Sequence, residues 1–185
     1  MKKIFIIHGW DGTDWLSYAE KSFKKLGFEV FAPEMPDPET PKIDEWINYL
    51  KNITKDIDEK TIFIGHSIGC QTIMRFLSEQ DKKVAGCVFV AGWFNLENLE
   101  DATAEKIAEP WIKIPINVER VKNNCGKIIT ILGDDDEWVP YAQTRKDFEE
   151  KLGSEVITLE GVGHITKEDG YEQFPELIEI IKKEF

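Results

Sequence analysis

Cysteine is scarce in this chain: there are three, Cys70, Cys87 and Cys125, odd in number and without CxxC spacing. That excludes a disulfide scaffold and reads as reduced, mostly buried thiols of a cytoplasmic protein. Long hydrophobic runs are missing as well. The longest spans residues 87–94, far too short to cross a bilayer. Residues 1–7 open like a secretory signal, but the apolar run stops after four residues at His8. Basic residues are outnumbered, 23 against 35 acidic, for a net charge of −12. A field of that sign repels phosphate backbones and anionic lipid, so neither a nucleic-acid nor a membrane partner is expected. Histidine is limited to three, no two at zinc-ligand spacing. There is no G-x-x-x-x-G-K-[ST], and Thr166 stands where a dinucleotide fingerprint starting at Gly161 needs its third glycine. No metal and no cofactor are expected.

What is present is enough for one domain over residues 1–185. At 42% apolar and 31% charged, the chain is too hydrophobic to stay disordered. Size scaling predicts roughly 9,000 Å² of folded surface, about 70% less than the unfolded chain exposes. Six short β-rich runs recur, at 3–7, 28–32, 61–65, 84–90, 127–132 and 155–159. Most are nearly continuous in apolar residues, as parallel strands covered on both faces should be. Between them lie stripes of helical period, such as Trp15-Tyr18-Ala19-Phe23 and Trp46-Ile47-Leu50-Ile53. Such alternation predicts a doubly wound α/β fold, a three-layer αβα sandwich on a six-stranded parallel sheet. One crossover, residues 91–126, is too long for a single helix and its turns. It reads either as a short lid segment over a binding site or as an excursion covering a sheet edge, with Pro110 and Pro115 interrupting any long helix.

Ligands of open α/β sheets bind beyond the carboxyl ends of the strands, so the residues after each strand matter most. After the third run comes Gly65-His66-Ser67-Ile68-Gly69, a G-x-S-x-G leading into a helical stripe. A sharp strand-to-helix turn of that kind is a nucleophile elbow, lifting the Ser67 hydroxyl above the sheet. A serine needs a base, and His164, in G-V-G-H just past the sixth run, is the candidate. The acid that orients the imidazole should lie in Asp134-Asp135-Asp136-Glu137 after the fifth run. D-x-x-V-P favours Asp136, and Asp135 is the alternative. The oxyanion of an acyl-transfer intermediate would be held by backbone N–H groups of Ile68, at a helix N-terminus, and Trp10, in the glycine-rich loop 8–12. Trp93 and Trp138 are candidate walls of a substrate pocket.

With these motifs assembled, the chain resembles the retinoblastoma-binding-protein-like serine hydrolases, a compact α/β-hydrolase family. The resemblance rests on HGWDG at 8–12, GHSIG at 65–69, VAGWF at 90–94, DDDEWVP at 134–140 and GVGH at 161–164, and it covers nearly the whole length. It implies Ser67 as nucleophile, Asp136 as acid and His164 as base of a Ser-His-Asp catalytic triad. The implied activity is that of an esterase-like hydrolase, cleaving a small ester, thioester or amide through an acyl-serine. Residues Ile68, Ala85 and Asn123 stand two positions before the three cysteines, so the L-x-C-x-E segment that binds retinoblastoma-type partners is absent. The rival is a non-catalytic protein-binding or scaffold module on the same fold, because fold does not fix function.

Overall fold

In the computed structural model, which describes all 185 residues, the six apolar runs form one parallel sheet. The strands are β1 (Lys3–Ile7), β2 (Glu29–Phe31), β3 (Thr61–His66), β4 (Val84–Val90), β5 (Cys125–Gly133) and β6 (Glu155–Leu159). Their order across the sheet is β2-β1-β3-β4-β5-β6. The edge strand β2 is shorter than its apolar run, and Phe31 is 38% exposed there. Strand β5 is longer than its run, because pairing with β4 begins already at Val84 opposite Cys125.

Strand parity divides the core into two halves. Phe5, Ile7, Phe63, Cys87 and Phe89 point to one face, where α2 (Ile43–Ile53), α3 (Ile68–Ser78), α5 (Val118–Asn124) and α6 (Tyr141–Leu152) pack. Ile4, Ile6, Ile62, Ile64, Val88, Val90, Ile129 and Ile131 point to the other, covered by α1 (Leu16–Lys25) and α7 (Pro175–Glu184). That is a three-layer αβα sandwich of the α/β-hydrolase type, with a surface of 8966 Å². All three cysteines are buried free thiols. No helix is long and apolar enough to cross a membrane.

The 91–126 crossover holds two helices, α4 (Ala102–Lys113) and α5. Pro110 does not stop a helix as the sequence suggested. It lies within α4, where both it and Lys106, whose carbonyl loses its bond, are exposed to water. Pro115 does fall in the break between the two helices. Asp101 caps α4 by accepting the Thr103 and Ala104 amides. Pro140 is the N-cap residue of α6.

The chain builds β2 on one side of β1 and every later strand on the other. The reversal leaves a crevice at the carboxyl ends of β1 and β3, with loop 8–15 on one flank and Ser67 on the other.

Candidate active site

Ser67 has φ 51° and ψ −119°, a left-handed backbone that a serine holds only when its surroundings impose it. Its N–H donates to Val90 O at 2.9 Å, and its carbonyl accepts the Cys70 N–H at 3.0 Å. The flanking glycines are required by close approach. A Cβ on Gly65 would lie 2.8 Å from Cys70 N, and one on Gly69 would strike the Ile7 carbonyl oxygen. The result is a serine of 8% exposure at the floor of a cleft of about 610 Å³, which Trp10, Thr13, Leu99, Trp138 and His164 also line.

His164 Nδ1 donates to Asp136 Oδ2 at 2.6 Å. The Asp136 side chain is only 2% exposed, and its Oδ1 accepts the Trp138 and Val139 amides at 3.0 and 3.1 Å. Burial alone would raise the Asp136 pKa, but the His164 hydrogen bond and charge, with those two amides, outweigh it and leave it lowered. The carboxylate is therefore ionised at neutral pH and can only accept. That fixes the His164 proton on Nδ1 and leaves a lone pair on Nε2. Asp135 is exposed, and it contributes only its N–H, to Val162 O at 3.0 Å. Together with Asp134, whose Oδ1 accepts the Gly161 N–H, it ties the acidic loop to the G-V-G-H loop.

No hydrogen bond joins Ser67 Oγ to His164 in this state. Oγ instead accepts from the Trp93 indole, Nε1 to Oγ 3.3 Å. Trp93 is 1% exposed and does not line the cleft, so its expected role as an open pocket wall is corrected. Gly92 is packed against Phe148 and Cys70, which draws the chain after β4 into the core and takes the indole with it. Trp138 does line the cleft, with its ring edge-on to His164 at 5.2 Å between centroids. The N–H groups of Trp10 and Ile68 make no hydrogen bond within the chain. The Trp10 loop is held by its own contacts: Trp10 Nε1 donates to Glu39 O at 2.9 Å, and Asp11 N–H to Pro38 O at 3.0 Å. His8 supports that arrangement from behind, its Nε2 accepting the Met35 N–H at 2.8 Å.

Sequence reasoning missed His66. Its ring is 4% exposed and bridges two loops of the site, with Nε2 to His164 O at 3.0 Å and Nδ1 to Thr13 Oγ1 at 2.8 Å. Burial, and then the neighbouring His164, push its pKa down from 6.5 to about 3, so it is neutral. Nε2–H then donates to the His164 carbonyl while Nδ1 accepts the Thr13 hydroxyl. A base whose folded pKa is depressed adds stability that is complete above its unfolded value and is lost as pH falls toward the folded one. Unfolding free energy should therefore drop as pH falls from 6.5 toward about 3, and His66→Gln should flatten part of that drop. Urea unfolding at pH 7 and pH 5 of both proteins checks this. An unchanged difference in the variant would show that the ring is not the neutral clamp described. No group of three or more His, Cys, Asp or Glu side chains is gathered to hold a metal ion.

The chain is similar to known hydrolases along its whole length. YdeN of Bacillus subtilis (strain 168), named for a hydrolase, is 24% identical over 100% of this chain and 96% of its own length. The serine hydrolase RBBP9 of Rattus norvegicus is 27% identical over 97% of this chain and 94% of its own. The crystal structure of the B. subtilis ydeN gene product superposes with a TM-score of 0.89 at 20% identity, covering 100% of this chain and 99% of that one. The serine hydrolase family profile matches residues 4–183, and the chain belongs to that family.

Proposed function

We propose that this hydrolase cleaves a small neutral or cationic ester, thioester or amide through an acyl-serine on Ser67, with His164 as base and then acid and Asp136 as its orienting carboxylate. The observation that carries the reading is the 2.6 Å His164–Asp136 bond in the same cleft as a serine held at φ 51°. The bond between Ser67 Oγ and Nε2 closes by side-chain movement; such hydrogen bonds are often poorly aligned until substrate binds. Ser67 attacks the carbonyl and its proton passes to Nε2, which returns it to the leaving group; water then repeats the sequence on the acyl-serine. The unbonded Trp10 and Ile68 N–H groups are assigned to the oxyanion. Three buried thiols fit the reducing cytoplasm as its location.

Substrate charge follows from the lining. Asp11, Asp14, Glu39, Glu100 and Asp101 border the cleft, and no lysine or arginine does. A cleft of one sign focuses its field and raises the local concentration of opposite charge. A fluorophosphonate probe should label the folded protein at Ser67, located by peptide mass. Among isosteric esters, an anionic one should turn over about tenfold more slowly than a neutral one at low salt. The gap should narrow as the Debye length shrinks from about 30 Å at 0.01 M to about 8 Å at 0.15 M. A folded chain that stays unlabelled would return the reading to a non-catalytic binding module.

A further inference from the structure

The three residues after β4, Ala91 to Trp93, are tightly constrained. Ala91 has φ 46°, a left-handed conformation that strains a residue with a β-carbon. Its N–H donates to Ile131 O at 2.9 Å, which locks the turn to the neighbouring strand. Gly92 has no room for a side chain, since a Cβ there would lie 2.9 Å from the Phe148 ring. The Trp93 carbonyl is fixed by Gln71 Nε2 at 2.7 Å, and Gln71 is itself 1% exposed on α3, one turn beyond the nucleophile. Gln71 Oε1 in turn accepts from Arg75, whose other bonds run to the Trp111 and Ile114 carbonyls at the end of α4. All of this restraint converges on one donor, the Trp93 indole N–H, and the only hydrogen bond that donor makes is to Ser67 Oγ.

We infer that Trp93 is a further catalytic residue, its indole N–H stabilising negative charge on Ser67 Oγ when that oxygen attacks and again when it leaves. The inference rests on Ser67 being the nucleophile. Indole Nε1 is a donor only, so it uses a lone pair of Oγ and leaves the hydroxyl proton free for His164. The two contacts therefore act together. In acylation the proton moves to His164 Nε2 as the Oγ–carbon bond forms, and Oγ carries partial alkoxide charge on the way. In deacylation water adds to the acyl carbon as its proton passes to His164 Nε2; the Oγ–carbon bond then breaks, its electron pair returns to Oγ, and His164 gives that proton to Oγ. A donor already in place at 3.3 Å only has to shorten as that charge builds, with no reorganisation of solvent.

The geometry also separates Trp93 from substrate binding, because the ring does not line the cleft. Its loss should lower kcat and leave KM nearly unchanged. A hydrogen bond gaining charge is worth about tenfold to a hundredfold in rate. The direct test replaces Trp93 with β-(3-benzothienyl)alanine, which keeps the bicyclic shape and lacks the N–H. Trp93→Phe serves as the ordinary variant. The expected result is fluorophosphonate labelling and ester kcat both reduced about tenfold to a hundredfold in the benzothienyl protein, at unchanged KM and melting temperature. A benzothienyl protein that labels and turns over like wild type overturns the inference while leaving Ser67 as nucleophile. A wild-type protein that does not label removes the nucleophile itself and the inference with it. If Trp93→Phe is impaired and the benzothienyl protein is not, the ring acts by packing alone and the catalytic role is wrong.

Discussion

Ser67→Gly is expected to abolish fluorophosphonate labelling and to cut ester turnover by at least about 10⁴-fold, yet to raise the melting temperature. The two effects have separate causes. Activity disappears because the attacking oxygen is gone. Stability rises because φ 51° with ψ −119° strains any residue with a β-carbon, and such strain costs about 1–3 kcal/mol. Glycine's greater freedom in the unfolded chain offsets roughly 0.5–1 kcal/mol of that gain. The Trp93 N–H loses its acceptor, but Ser67 borders an open cleft, and water can take the vacated position. The net is about 1 kcal/mol, or a rise of about 2–4 °C for a chain of this size. Ser67→Ala separates the terms: it loses the same activity and retains the strained backbone, so its melting temperature should stay below that of the glycine variant. Calorimetry on the three proteins decides the matter. Equal melting temperatures for the glycine and alanine variants would mean that the elbow is not under strain.

Much of the fold was legible because parallel strands buried on both faces leave continuous apolar runs, and KIFII, TIFIG and VAGCVFV stand out against charged surroundings. The helices were legible where an apolar stripe had to face the sheet. Helix α4 was harder, since Pro110 argues against it, and its tolerance fits the exposed setting of both Lys106 and Pro110. At the site, Ser67, His164 and the acidic loop could be placed by the rule that function follows the carboxyl ends of strands. The choice between Asp135 and Asp136 could not, because it depends on which side chain a tight turn directs inward; Asp136 is directed inward by the Trp138 and Val139 amides. The positions of His66 and Trp93 were not legible for a related reason. Each acts through a hydrogen bond to a residue distant in sequence, 98 positions for His66 to His164 and 26 for Trp93 to Ser67, and no spacing encodes such a partner.

Asp136→Asn should leave the fold nearly intact and lower kcat by about 10⁴-fold. The asparagine oxygen can still accept the Trp138 and Val139 amides, so the loop keeps its shape. That leaves the amide NH₂ facing His164 Nδ1, where Oδ2 now accepts at 2.6 Å. A donor there forces Nδ1 to become the acceptor, and the ring proton moves to Nε2. In that tautomer Nε2 has no lone pair for the Ser67 proton, so the base is present and correctly placed but chemically reversed. The variant also loses the charge that stabilises the imidazolium formed during attack. Substrate binding should change little, because the Asp136 side chain is 2% exposed and does not line the cleft. Steady-state kinetics should therefore show kcat falling at nearly constant KM. NMR of the His164 ring nitrogens should show the proton on Nδ1 in the wild type and on Nε2 in the variant. A variant that keeps the Nδ1–H tautomer and most of its activity would show that the carboxylate only anchors the loop, and His164 would need another orienting group.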